Sequence, residues 1–115
     1  MTVPVWIPKP KPLPKIETGP RIPARILRYA GSAVSTRKFH AGPYLYPRGW
    51  FYHRWSFGER LPTAFFLSRY WIAEYGQLGL IEPPRGYVWV RVDSDAMLVN
   101  MDNGEVLRSV RDIFY

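Results

Sequence analysis

Seven prolines fall between Pro4 and Pro23, and Pro8-Lys9-Pro10-Lys11-Pro12-Leu13-Pro14 alternates without a break. Each proline fixes φ, removes an amide donor and pushes the residue before it toward extended geometry. Neither a helix nor a central strand can form there, so polyproline II or irregular extended chain is what remains. Apolar residues are scattered through the same stretch, Val3, Val5, Trp6, Ile7, Leu13 and Ile16 among them, with nothing local to pack on. Two readings stay open: a solvated, semi-rigid linker, or a ribbon laid along a partner. In the second, Trp6 is an apolar anchor, and Lys9, Lys11, Lys15, Arg21 and Arg25 meet acidic groups or anionic lipid headgroups.

Charge divides the chain at the same place. Residues 1–50 hold nine Lys or Arg against Glu17 alone, whereas residues 51–115 hold seven Arg against eight acids. Nine of the twelve prolines also lie in the first fifty residues. The expected organisation is therefore a basic, proline-rich extended arm over residues 1–49 and a nearly neutral folded unit over 50–115. The 115 residues suffice for one domain. No run of 18 apolar residues offers a membrane-spanning helix. Pro4 and Pro8 interrupt the only apolar run near the start, which does not read as a secretory signal. With no cysteine, disulfide frameworks, thiolate nucleophiles and Cys-ligated metals are excluded.

Rings crowd the next stretch: Tyr44, Tyr46, Trp50, Phe51, Tyr52, Trp55 and Phe57, with Arg48, His53 and Arg54 between them. Basic residues interleaved with aromatics can stack bases and neutralise phosphates. Rings at this density are equally the core of a small domain, and with no nucleic-acid-binding motif beside them the core reading is preferred. Trp50 and Trp55 are also candidate partner contacts.

Farther on, Pro62 suits a helix start. Apolar residues recurring through Phe66, Tyr70 and Ala73, and through Leu67, Trp71 and Leu78, predict an amphipathic helix within 62–78. A short strand at Tyr70-Trp71-Ile72 is the alternative. Tyr87–Val92 alternates strictly, with Val88, Val90 and Val92 on one face and Tyr87, Trp89 and Arg91 on the other, which predicts a strand. Ala96–Met101 is a second strand and Glu105–Val110 a third. Asn103-Gly104 predicts a type I′ turn that sets Met101 opposite Val106 and Val99 opposite Arg108. The expected fold is α+β: a three-stranded antiparallel meander with one packed helix, preceded by the extended arm. A unit this small gains from a partner or from self-association.

Taken in order, Trp55, Gly58-Glu59-Arg60-Leu61-Pro62, Tyr70-Trp71-Ile72, Pro83-Pro84-Arg85-Gly86-Tyr87-Val88-Trp89-Val90-Arg91-Val92 and Gly104-Glu105-Val106-Leu107 resemble the RcnB family over residues 50–112. The family is named for a periplasmic nickel/cobalt homeostasis protein. The resemblance implies a non-enzymatic periplasmic or cell-envelope protein that acts through protein–protein contacts or metal handling. The alternative is an accessory subunit of a larger assembly, anchored by its basic arm. The residues themselves argue for neither a metal site nor catalysis. His40 and His53 lie thirteen apart in irregular chain, where a structural role is expected. Asp93, Asp95 and Asp102 cluster in predicted turns, and neither Ser56 nor Ser94 has an evident base.

Overall fold

The computed structural model describes residues 22–115. Trp6, Lys9, Lys11, Lys15 and Arg21 lie outside the described residues. Pro23 opens a single helical turn, α1 (Ala24–Leu27), and its carbonyl accepts the amides of Ile26 and Leu27. Four strands follow: β1 (Gly31–Val34), β2 (Tyr87–Val92), β3 (Asp95–Asn100) and β4 (Val106–Arg111). They form one mixed sheet in the order β1-β4-β3-β2, in which β1 runs parallel to β4 and the other pairs are antiparallel.

This corrects the three-stranded meander. The fourth strand comes from Gly31–Val34, inside the stretch assigned to the arm. It has no alternating run long enough to signal a strand, and it forms because β4 has an open edge to pair. Gly31 lies opposite Arg108 and Val34 opposite Arg111. The pairing continues past both strands: Ser35 donates to Arg111 O, Phe39 to Ile113 O, and Tyr115 donates back to Phe39 O.

The packed helix is corrected as well. Within 62–78 the chain makes three separate 3-10 turns, Thr63–Phe66, Ser68–Tyr70 and Tyr75–Leu78. Leu67 and Trp71 between them are extended, with ψ of 155° and 141°. The reason is lateral pairing. Trp71 bridges to Val90, and Ile72 donates its amide to Trp89 O. A continuous helix would spend those backbone groups along its own axis.

β2 and β3 are joined by the two-residue turn Asp93-Ser94, with Asp93 at φ 57°. The β3–β4 connection is not a type I′ turn. It is five residues long, Met101–Glu105, and Asn103 is not in the left-handed region. Instead Asn100 holds the loop, its Oδ1 accepting the amides of Asp102 and Asn103 while its carbonyl accepts that of Gly104. Val99 then pairs with Val106 and Leu98 with Arg108, so Leu107 is the extra residue of a β-bulge. The five-residue loop sets Val99 opposite Val106 instead of Arg108, and the bulge shifts the pairing by one again at Leu98.

Both faces of the sheet are buried. Trp89, Leu98, Val110 and Ile113 pack with Ile26 and Ile72 on one face. Val90, Val92, Met97, Val99 and Val106 pack with Trp55, Phe65 and Tyr70 on the other. The valine and aromatic faces of β2 divide between these cores as the alternation predicts. Every residue of β3 from Asp95 to Val99 is consequently buried.

Gly104 (φ 77°) fixes how one covering segment seats. Leu61 donates to Gly104 O, Gly58 to Val106 O, and Val106 to Glu59 O, so residues 58–61 lie against the chain at 104–106. A Cβ on Gly104 would overlap the Leu61 carbonyl oxygen and sit 2.7 Å from Phe66 Cε1. Gly104→Ala should therefore lower stability by about 2–3 kcal/mol, from a positive-φ penalty plus a backbone clash. Gly58→Ala, at φ 91° with nothing within 4 Å, should lose about 1 kcal/mol from backbone conformation alone. Urea unfolding of both variants is the measurement, and equal losses would refute the close approach.

Candidate functional site

Two surfaces stand on this scaffold. The first is a groove of about 580 Å³ beside the sheet end. One wall is the extended strap from Ala41 to Tyr46, which alternates its side chains so that Tyr44 and Tyr46 turn inward while Pro43 and Leu45 stay exposed. The strap is pinned at its start, where Ala41 and Gly42 donate their amides to Tyr115 O. The opposite wall is Tyr70, Trp71 and Ile72, and Phe114 contributes from the C-terminal end.

Arg91 ties the strap to the sheet. Its Nε donates to Asp93 O at 2.7 Å, Nη2 to Gly42 O at 2.7 Å and Nη1 to Ala41 O at 3.2 Å. Its guanidinium carbon also lies 5.5 Å from the Tyr44 ring centroid and 5.3 Å from that of Phe114. The planar fork is spent on three carbonyls, so Arg91 positions the strap. Tyr70 Oη donates to Leu45 O at 2.6 Å and Tyr46 Oη to Asp93 Oδ2 at 2.6 Å, which closes the strap down on the valine face.

Tyr44 is different. Its hydroxyl oxygen is buried and has no hydrogen-bond partner. Burial, then the neighbouring Tyr70 and Tyr46, pushes its ionisation well above the usual phenol range, so it stays a donor. The rim carries Arg69, stacked 5.1 Å over the Tyr70 ring, and Glu74, the one carboxylate among the described lining residues.

The second surface is a ridge. Trp50, Phe51, Tyr52 and Phe57 are 41%, 77%, 59% and 46% exposed. Trp55 between them is buried, packed on Phe65 at 5.8 Å with Trp50 tilted against it at 6.0 Å. The sequence-predicted contact Trp50 is thus at the surface, Trp55 is its footing, and Arg25 is exposed on α1, apart from both. His53 stacks 4.2 Å from Trp55 and faces Glu59 at 3.9 Å, while His40 packs on Tyr115. Among the described residues no group of three His, Asp or Glu could hold a metal ion. No helix among them is long and apolar enough to cross a membrane.

A charged corner roots the ridge. Arg111 Nη2 donates to Trp55 O, its Nη1 lies 3.6 Å from Asp95 Oδ2, and Asp95 Oδ1 accepts the Asp112 amide. Burial raises the Asp95 ionisation above the usual carboxylate range, although the Asp112 amide and Arg111 pull it down.

Sequence reasoning did not find the groove, because Arg91, Tyr44, Trp71 and Phe114 come from four separated segments. The one local signal is the Tyr44-x-Tyr46 alternation between Pro43 and Pro47.

Residues 58–108 match the RcnB family model, described as nickel/cobalt transporter regulator. No curated protein and no solved structure matches the chain. The matched segment spans the 58–61 strip, the three 3-10 turns and β2–β3, and it reaches into β4. The strap and the ridge lie before it.

Arg91→Lys replaces a fork by a point charge that cannot span three carbonyls. Amide exchange at Ala41 and Gly42 should quicken about tenfold, the equivalent of roughly 1.4 kcal/mol of local opening. Unchanged exchange would mean that Tyr115 alone holds the strap. The corner makes a pH prediction. A carboxyl whose folded pKa lies above its unfolded value carries a penalty at neutral pH that is relieved as pH falls through the folded pKa. The stability of the native chain relative to Asp95→Asn should therefore rise between pH 7 and pH 4, as read from urea midpoints. A relative fall would show that the Arg111 pair dominates.

Proposed function

We propose that this chain is a non-enzymatic cell-envelope protein that serves nickel/cobalt homeostasis by docking on a protein partner. The contacts are the Trp50–Phe57 ridge and the basic arm over residues 1–30. The observation that carries the reading is the ridge itself. Four large rings stand exposed in one short segment beside Arg48 and Arg54, which are also exposed. Tryptophan, tyrosine and arginine dominate the energetics of protein interfaces, and this segment exposes several such side chains within eight residues. A rigid footing lowers the ordering cost of binding, and Trp55 with the Arg111 bond to its carbonyl supplies one. The family description supports the metal context. A formal charge of +7, gathered in the first fifty residues, supports a salt-sensitive share of the affinity from Lys9, Lys11, Lys15 and Arg21. Trp6 adds an apolar anchor.

The test is complementation in the native host. Cells lacking this chain should show altered nickel or cobalt content, restored by the wild-type protein. Trp50→Ser, Phe51→Ser and Tyr52→Ser together should leave the sheet intact by circular dichroism and fail to restore it. Unaltered metal content in the deletion would overturn the homeostasis role, and full rescue by the triple variant would overturn the ridge. Calorimetric titration of the purified chain with nickel should show no site tighter than about micromolar. A stoichiometric tight site would make the protein a metal binder instead.

A further inference from the structure

We propose that the outer edge of β1 takes up an extended acidic segment of a partner protein as a fifth strand, with one apolar side chain of that segment seated in a hollow beside it. This surface is separate from the ridge. The sheet has two edges, β2 and β1. That of β2 is covered, since Trp71 bridges to Val90 and Ile72 donates to Trp89 O. Along a strand the backbone groups of successive residues point to opposite sides. Ser35 donates to Arg111 O, so the groups of Gly31 and Ala33 face β4 with it, and those of Ser32 and Val34 face away. Among the described residues nothing accepts the Ser32 or Val34 amide, and the Val34 side chain is 65% exposed. An open edge of this kind is a template for an added strand, whose backbone supplies affinity and whose alternate side chains supply specificity.

The hollow, of about 360 Å³, opens on the Trp89 face of this edge and is lined by Ala33, Leu80, Trp89, Val110 and Ile113. Trp89 Nε1 donates to Ile81 O at 2.8 Å, which holds the far wall in place. An added strand turns every second side chain toward that face. Charge then selects the occupant. The charged lining residues are Arg37 and Arg108, and the nearest acids in sequence, Glu82 and Asp112, are not among them. No Asp or Glu occurs from Ile22 to Gly58. A Cβ on Gly31 would stand 3.8 Å from Arg108 Nη1, which puts that guanidinium across one end of β1. Arg37 follows the other end, stacked 5.1 Å over the Phe39 ring. Among the described residues neither guanidinium is paired with a carboxylate. The four residues of β1 span roughly 10 Å at about 3.3 Å per residue, and carboxylates four positions apart on an added strand bracket them at about 13 Å. The segment that suits this edge therefore carries an acid, an apolar residue and a second acid at alternate positions. A second copy of this chain is disfavoured, because pairing β1 with β1 sets these arginines against their own counterparts.

The probe is the capped peptide Thr-Glu-Thr-Leu-Thr-Glu-Thr, titrated into the isotope-labelled full-length chain and followed by NMR. The Ser32 and Val34 amides should shift and exchange more slowly, with a Kd tighter than about 1 mM, while the Trp71 indole stays unmoved. Lysine in place of both glutamates should weaken binding about tenfold or more. Only one alternate set of peptide amides faces β1. N-methylation of the threonines in one peptide, and of the Glu-Leu-Glu set in another, should therefore abolish binding in one and spare it in the other. Val34→Pro removes an outward amide and leaves the β4 pairing in place, and it should also abolish binding. The proposal is overturned if Ser32 and Val34 do not shift, if the two methylated peptides behave alike, or if the lysine peptide or Val34→Pro binds as well as the original pair. A dimer of the chain alone that protects those two amides would overturn it too, by assigning the edge to a second copy. Trp50→Ser, Phe51→Ser and Tyr52→Ser together should leave the titration unchanged, so failure here is separate from failure of the ridge.

Discussion

The outer edge of the C-terminal segment, from Gly104 to Tyr115, organises the described fold. Two remote pieces of chain pair along it: residues 58–61 over 104–106, and residues 31–41 from Arg108 to the end. Each backbone bond contributes only about 0.5–1.5 kcal/mol net, but leaving that edge unpaired would expose a row of donors and acceptors. The same pairing decides where everything on the surface goes. The strap departs from Tyr115 O, and the ridge runs up to Gly58, whose amide is held by Val106 O. With both sheet faces buried, these flanking segments are where the chain presents its remaining rings.

Two arginines of the sheet perform matching tasks, one on the edge strand β2 and one at the end of β4. Arg91 reaches from β2 to the Ala41 and Gly42 carbonyls, and Arg111 reaches from β4 to the Trp55 carbonyl. Guanidinium suits this use because it stays charged and presents several donors in one plane, so it satisfies carbonyls of irregular chain that no strand pairs. Burial of Asp95 beside Arg111 is tolerated for the same reason. The carboxylate loses hydration but gains the Asp112 amide and the facing cation.

Local alternation made β2 legible, and it assigned the valines and Trp89 to opposite faces correctly. Composition revealed the aromatic and basic character of 50–57, but the preferred core reading holds for Trp55 and not for Trp50, Phe51, Tyr52 and Phe57, which stand exposed. What escaped is non-local. Nothing in Gly31-Ser32-Ala33-Val34 signals a strand, since it exists only because β4 offers an edge. The helical spacing across 62–78 was real, but a 3.6-residue pattern cannot show that Trp71 and Ile72 are drawn sideways onto β2. Asn103-Gly104 was likewise read as a two-residue turn, whereas the Asn100 side chain captures two loop amides and stretches the connection to five residues. A competing side-chain acceptor three residues away outweighed the local dipeptide preference.

The family match begins at Gly58 and ends at Arg108. It therefore covers the 58–61 strip with its Gly104 contact, the bridge at Trp71, all of β2 and β3 and the first half of β4. The Ala41–Tyr46 strap and the rings from Trp50 to Phe57 lie ahead of it. One wall of the groove thus comes from the matched segment and the other from outside it, joined through Arg91, which is itself within the match. The division does not follow the sheet: β1 and the end of β4 with Arg111 also lie outside the match, so the platform on which residues 41–57 are laid draws on both parts of the chain.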